Sequence, residues 1–184
     1  MIDMATITTP RLILRPFRPS DVADVFEYAK LPDVGPSAGW QPHKTIEDSQ
    51  RIVAMFMANN DVWAIVHAAD DKVIGSIGLH EDGYRTGVDA KSIGYVISPY
   101  YQNQGYAKEA VNAILDHAFV AMGYQMVSGY HFPFNVASKK VLIGCGFEYE
   151  GTLKKTTKRF DGMIMDHCCY LIEKDQYKRN TEHR

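Results

Sequence analysis

Apolar residues recur along this chain in two rhythms, and the switches between them divide it into elements. Alternation governs residues 11–17, where Leu12 and Leu14 share one face of a first predicted strand. Pro19-Ser20-Asp21 then opens a helix with Ser20 at the N-cap, and Val22, Val25, Phe26 and Ala29 follow at helical spacing. A Pro- and Gly-rich loop carrying Trp40 spans residues 31–44. Thr45-Ile46-Glu47-Asp48 has the capping-box form and starts a second helix through residue 58, with Ile46, Val53 and Phe56 as core positions. Strand-like runs at 62–67 and 72–80 are joined by the turn Ala69-Asp70-Asp71. A polar loop (81–90) leads to a fourth strand, Ser92 to Ser98.

The clearest element follows Ala107. Val111, Ile114, Leu115, Ala118, Phe119 and Met122 fall on one helical face, and Gly123 is placed to cap it. A strand at 126–130 follows, then a short helix from Val136 to Ile143 ended by Gly144 and Gly146. Strands at 151–159 and 163–172 are joined by the hairpin-type turn Phe160-Asp161-Gly162, and the charged tail 174–184 is expected to fray. No repeat, low-complexity segment or linker interrupts the pattern. The expectation is one mixed α/β domain over residues 1–184, with its core at 8–173.

Composition narrows the class. At 184 residues, 46% hydrophobic and 23% charged, the chain suits one soluble globular domain. A formal net charge of −2 gives no support for a nucleic-acid or membrane-surface partner through bulk electrostatics. No apolar run nears the roughly 20 residues that span a bilayer, and no signal-peptide pattern opens the chain. Cys145, Cys168 and Cys169 match neither a zinc site nor a disulfide framework, since adjacent strand cysteines point to opposite faces. They read as structural thiols in a reducing, cytoplasmic protein.

One stretch departs from ordinary packing: Pro99-Tyr100-Tyr101-Gln102-Asn103-Gln104-Gly105-Tyr106-Ala107-Lys108-Glu109-Ala110. It sits where a strand gives way to a helix, so unpaired N–H groups and the positive end of the helix dipole form a ready anion site. Gly105 lets a phosphate approach the backbone, though a glycine is also ordinary in such a turn. No Lys-Ser/Thr follows it and no G-x-G-x-x-G is present, which speaks against ATP and NAD. A pyrophosphate held by backbone amides remains.

Val96-Ile97-Ser98-Pro99 followed by Gln102-x-x-Gly105-x-Ala107 resembles the acetyl-CoA motif of the GNAT N-acetyltransferase superfamily. Asn135-Val136-Ala137-Ser138 with Gly144-Cys145-Gly146-Phe147-Glu148 resembles its N-x-x-S helix and closing G-F step. Thr9-Pro10-Arg11-Leu12-Ile13-Leu14-Arg15 and Gly162-x-x-x-Asp166 are similar to the branch that acetylates ribosomal-protein N-termini. The resemblance implies a GNAT fold, a mostly antiparallel sheet of about seven strands with about four helices, splayed between the fourth and fifth strands. It implies acetyl-CoA as cosubstrate and no metal. The amides of Gln104, Gly105, Tyr106 and Ala107 would hold the pyrophosphate, with Gln102 and Asn103 at its edge. Val96, Ile97 and Ser98 would pair with the pantetheine arm through their backbones, and Asn135 would meet it from the other side. Lys139 or Lys140 would lie near the adenosine phosphates, or simply on a solvated helix face.

Transfer to an amine requires a neutral nucleophile, a donor to the thioester oxygen, and a proton for the departing thiolate. An α-amine with a pKa of roughly 7.7–8.0 is partly neutral at pH 7, whereas a lysine at about 10.4 is almost wholly charged. The family tyrosine expected four positions past the serine is Leu142 here, which leaves Ser138 as the proton donor to sulfur or as a helix residue bonded to its own turn. The glutamate often found in the fourth strand is Ser92, which leaves Glu81 and His80 as base candidates, or as a solvated carboxylate and a surface imidazole. Trp40, Tyr84, Tyr130 and Phe132 would line the acceptor channel or pack as wall. The acceptor is expected to be a peptide or protein N-terminus, a ribosomal protein among the options. Small-molecule amines (antibiotics, polyamines, amino-acid derivatives) and a non-catalytic acyl-CoA sensor are the alternatives, and a homodimer fits the family.

Overall fold

The structure, a computed structural model, describes residues 4–182. Its strands are β1 (Ile7–Thr8), β2 (Leu12–Pro16), β3 (Val62–His67), β4 (Lys72–Glu81), β5 (Ala90–Ile97), β6 (Met126–His131), β7 (Glu148–Lys158) and β8 (Ile164–Glu173). The helices are α1 (Val22–Ala29), α2 (Val34–Ala38), α3 (Ile46–Asn59), α4 (Tyr106–Asp116), α5 (Val136–Gly144) and α6 (Lys174–Glu182). The sheet runs β1-β2-β3-β4-β5-β6-β8-β7, with β5 and β6 parallel and the other recorded pairs antiparallel. This is the GNAT architecture, with the two-residue β1 as an eighth strand and α2 and α6 as helices beyond the four expected.

The chain groups into two compact units that share β4, β5 and α4. The first comprises residues up to Gly78 together with Tyr95–Ala110. Here β3 is buried along both faces, as a central strand requires, and Val62, Ala64 and Val66 pack with Val25, Tyr28, Ala29 and Val53 of α1 and α3. At the start of α1, Asp21 rather than Ser20 supplies the recorded cap-like contacts. Its carboxylate accepts from Arg18 N–H (2.8 Å) and from both Arg15 guanidinium arms (2.8 and 2.9 Å). At α3, Asp48 accepts from Thr45 N–H (3.0 Å), the carboxylate half of the expected capping box.

The second unit comprises Leu79–Gly94 and the chain from Val111 onward. Val111, Ile114, Leu115, Ala118 and Phe119 are all at most 1% exposed, as their spacing requires. The final stretch does not fray: Lys174–Glu182 forms α6, because Tyr177 buries its ring 5.2 Å from Phe119 and Gln176 donates to the Gly146 carbonyl (3.3 Å) and Glu148 (2.7 Å). His183 and Arg184, the end of the expected tail, lie outside the described residues. The β5–β6 pairing runs from Ala90↔Met126 to Ile93↔Gly129, although β5 continues to Ile97 and β6 to His131. This is the fork expected between the fourth and fifth strands, now counted as β5 and β6.

Candidate active site

The entry to α4 is built from two left-handed backbone positions, Asn103 (φ 60°) and Gly105 (φ 85°). Asparagine and glycine tolerate that region best, so the sequence is matched to the turn. Glu109 N–H makes the bond to Gly105 O (3.0 Å), and the amides ahead of it face out of the helix start. A carboxylate in this first turn would oppose an anion, but Glu109 is tied back. It accepts from Thr9 Oγ1 (2.6 Å), Arg11 N–H (3.0 Å) and Arg11 Nε (2.7 Å). Burial works against its ionisation, yet these donors outweigh it and hold the carboxyl below its usual range. Arg11 also donates to the Gln104 carbonyl (2.9 Å) and stacks 4.4 Å from the centroid of the Tyr106 ring.

The end of β5 corrects part of the expected pantetheine edge. Ser98 N–H donates to Ile74 O of β4 (2.7 Å), and a Cβ on Gly75 of β4 would lie 2.0 Å from the Val96 carbonyl oxygen. Val96 and Ser98 therefore turn their backbone groups toward β4. Strand alternation sends those of Tyr95 and Ile97 to the other edge. Val96 and Ser98 thus have backbone groups committed to β4 rather than to a ligand, and the parity that decides this depends on which neighbour the strand pairs with. The Gln102 side chain folds back to donate to Ile97 O (3.0 Å).

Also in the first unit, a cavity of about 560 Å³ opens between α1, α3 and residues 40–44, with Ser76 on its strand side. Trp40, Ile52, Met55 and Phe56 give it apolar walls. Two of its polar side chains have partners within the protein: Asp48 accepts from Lys44 N–H (2.8 Å), and His43 Nδ1 meets Ser49 Oγ at 2.8 Å.

In the second unit, Asn135 caps α5 by accepting from Ser138 N–H (3.0 Å). Ser138 is half-buried in the first turn, and Lys139 and Lys140 are exposed. Leu142, where the family tyrosine was expected, is 1% exposed, and a Cβ on Gly129 of β6 would meet it at 2.6 Å. It is a packing residue against β6. His80 and Glu81 are both exposed at the end of β4. Glu81 forms an ion pair with Lys91, and His80 Nε2 would lie 3.8 Å from a Cβ on Gly94.

The polar loop after β4 is organised by a residue the sequence did not single out. Asp82 has a fully buried side chain and accepts from Ser128 Oγ (2.7 Å), Tyr130 OH (2.7 Å), Tyr84 N–H (2.9 Å) and Arg85 Nη1 (2.9 Å). Burial alone would raise its pKa; the donors outweigh it and hold the carboxyl below the usual range. Tyr84 then meets His167 Nδ1 at 2.8 Å, and Tyr130 and Phe132 stack on the same imidazole, ring centroids 6.0 and 5.4 Å away. Burial first, and His131 second, lower the His167 pKa. Three of the expected channel aromatics thus gather around His167, while Trp40 lines the cavity of the first unit. Nothing local in the sequence marks His167 or Asp82.

Among the described residues no cluster of His, Cys, Asp or Glu is set to hold a metal, and no helix is long and apolar enough to cross a membrane. Residues 11–148 match the family model described as the acetyltransferase (GNAT) domain. The uncharacterized N-acetyltransferase YnaD of Bacillus subtilis is 32% identical over 81% of this chain and 86% of its own. A GNAT-family acetyltransferase of Bacillus anthracis superposes with a TM-score of 0.84 at 27% identity, covering 93% of this chain and 99% of that one. The ribosomal-protein-S5-alanine acetyltransferase of Vibrio fischeri shares the fold at a TM-score of 0.75 and 23% identity, covering 94% and 98%.

Proposed function

As a member of the acetyltransferase (GNAT) family, this chain is an acetyl-CoA-dependent N-acetyltransferase, and we propose that its acceptor is the α-amino group of a protein or peptide N-terminus. The observation that carries the choice of amine is the ion pair between Glu81 and Lys91. With that carboxylate engaged, the base we assign is the His167 imidazole of the same unit, whose proton affinity burial has lowered. Such a base suits an amine with a pKa near roughly 8 and is poorly matched to a lysine at about 10.4.

The amides of Gln104 to Ala107 would bind the pyrophosphate at a helix start whose acidic residue Arg11 already neutralises. The pantetheine arm would pair along the β5 edge formed by Tyr95 and Ile97, with Ile97 N–H as donor to the thioester oxygen. Asn135 and Lys139 keep their proposed places at the arm and the adenosine phosphates. The amine nitrogen forms a bond to the acetyl carbon, and the carbon–sulfur bond breaks. One amine proton passes to His167 through Tyr84 or water, and the thiolate takes a proton from Ser138, which recovers one from solvent. His80 remains the alternative base.

A second reading, a small-molecule amine with an apolar body, draws on the cavity walled by Trp40, Ile52, Met55 and Phe56, where His43 and Asp48 are already bonded within the protein. Release of CoA from acetyl-CoA distinguishes the two. The acceptors would be peptides beginning with Ala or Ser, the same peptides N-terminally blocked but carrying lysine, polyamines and aminoglycosides. The fold shared with the Vibrio fischeri enzyme makes ribosomal-protein N-termini the first sequences to try. Turnover with open N-termini and none with blocked ones supports the proposal; turnover confined to small amines overturns it.

A further inference from the structure

Two tyrosines bracket the turn into α4, Tyr101 immediately before Gln102 and Tyr106 immediately after Gly105. Their hydroxyls end at one place. Tyr101 OH donates to Asp70 Oδ2 (2.6 Å), and Tyr106 OH lies 2.9 Å from His67 Nε2. His67 Nδ1 in turn lies 2.9 Å from Asp70 Oδ2. The Nδ1 contact is a close approach rather than an aligned hydrogen bond, so the two tyrosine hydroxyls make the bonds that tie the loop. The rings close the same group, with centroids 5.3 Å apart for His67 and Tyr101 and 5.2 Å for His67 and Tyr106. His67 itself cannot drift, since it is a rung of the sheet, opposite Leu12 of β2 and Lys72 of β4.

We propose that His67 and Asp70 are positioning residues for acetyl-CoA, a clamp on the β3–β4 turn that fixes both ends of the Gln102–Gly105 loop. The inference rests on the reading that this loop binds the pyrophosphate. Asn103 and Gly105 hold left-handed conformations that an untethered loop would sample only part of the time. A ligand that needs the ordered loop then binds more weakly by the fraction that is ordered. The clamp touches neither the thioester nor the amine, so turnover at saturation is untouched.

His67→Phe keeps the ring and removes both nitrogens; Tyr101→Phe and Tyr106→Phe remove one hydroxyl each. In the full chain, calorimetric titration with CoA gives the Kd, and steady-state kinetics give KM for acetyl-CoA, KM for the acceptor, and kcat. For His67→Phe the Kd and the acetyl-CoA KM rise about tenfold, the weight of one lost hydrogen bond, with kcat and the acceptor KM within about twofold. Each tyrosine variant shifts the same two constants less, and Tyr106→Phe adds little on top of His67→Phe because the two share one contact. Unchanged Kd in all three variants overturns the clamp, as does a fall in kcat with Kd intact. Should His67→Phe fail to fold, the tyrosine variants decide. Gly105→Glu separates the two readings: if it binds CoA normally the pyrophosphate assignment fails, and if it alone loses binding only the clamp fails.

Discussion

Arg11 and Glu109 stand 98 positions apart in sequence and meet at the first turn of α4, guanidinium nitrogen to carboxylate oxygen at 2.7 Å. A residue of the opening segment thereby removes the acidic charge from the place where a family acetyltransferase needs to accept phosphates. Arg11→Ala removes the guanidinium and leaves the Glu109 charge uncompensated there, held only by Thr9 Oγ1 and a backbone N–H, and CoA affinity should fall about tenfold or more from the like charge alone. Adding Glu109→Gln should restore most of it, because the second change deletes the repulsion. Titration of CoA into the single and double variants checks this; an equally weak double variant would mean that Arg11 acts through packing on Tyr106.

Gly105 carries a separate prediction. At φ 85° an alanine costs roughly 1–2 kcal/mol, so Gly105→Ala should lower the melting temperature by a few degrees and weaken CoA binding. Gly105→Glu adds a carboxylate against the phosphates and should abolish binding while the chain stays folded. Normal CoA affinity in that variant would remove this loop from the site.

The residues of this loop were legible in the sequence because the signal is local: a strand, a turn that tolerates left-handed backbone, and a long amphipathic helix. The same holds for β3, which spans the expected residues 62–67, and for the start of α3, where Asp48 acts from within four residues. What stayed hidden depends on partners remote in sequence. Which β5 backbone groups face which neighbour follows from Ser98 bonding Ile74, and no periodicity shows that. Glu81 looked like a solvated carboxylate or a base until the β4–β5 hairpin set Lys91 beside it. Helix α2 hides in a Gly- and Pro-rich stretch because it is held by Trp40, whose N–H donates to Gly35 O (3.0 Å) and whose ring would lie 2.5 Å from a Cβ on Gly35. The pairing of Tyr84 with His167 spans 83 positions and needs the register of β8.

Ser138 and Leu142 give opposite predictions on one helix. Ser138→Ala should lower kcat by about tenfold or more, the scale of losing one proton donor, with a smaller effect on the Kd for CoA. An unchanged rate would leave Ser138 structural. Leu142→Tyr should not create a substitute acid, because the side chain is buried against Gly129 and has no room for a ring and hydroxyl. A lower melting temperature with no gain in kcat is the expected result, and a gain in kcat would show that α5 can shift on β6.

Stability should fall as the solution is made mildly acidic. Burial, the leading cause at both sites, lowers the pKa of His43 and of His167; at His43, Arg51 acts in the same direction and Asp48 opposes it. A histidine with a depressed pKa in the fold stabilises it fully above the unfolded value of about 6.5, and that contribution is lost as pH falls through the folded value. Asp82 and Glu109 have depressed values too, but a depressed carboxylate begins to lose its contribution only below roughly pH 5. The window between pH 7.5 and 5.5 therefore belongs to the imidazoles. Thermal unfolding at those two pH values should show a lower melting temperature at 5.5, and His167→Gln should narrow the difference. If the difference is the same in that variant, His167 charges without cost, and the half-buried environment assigned to it beside Tyr84 and Phe132 is wrong.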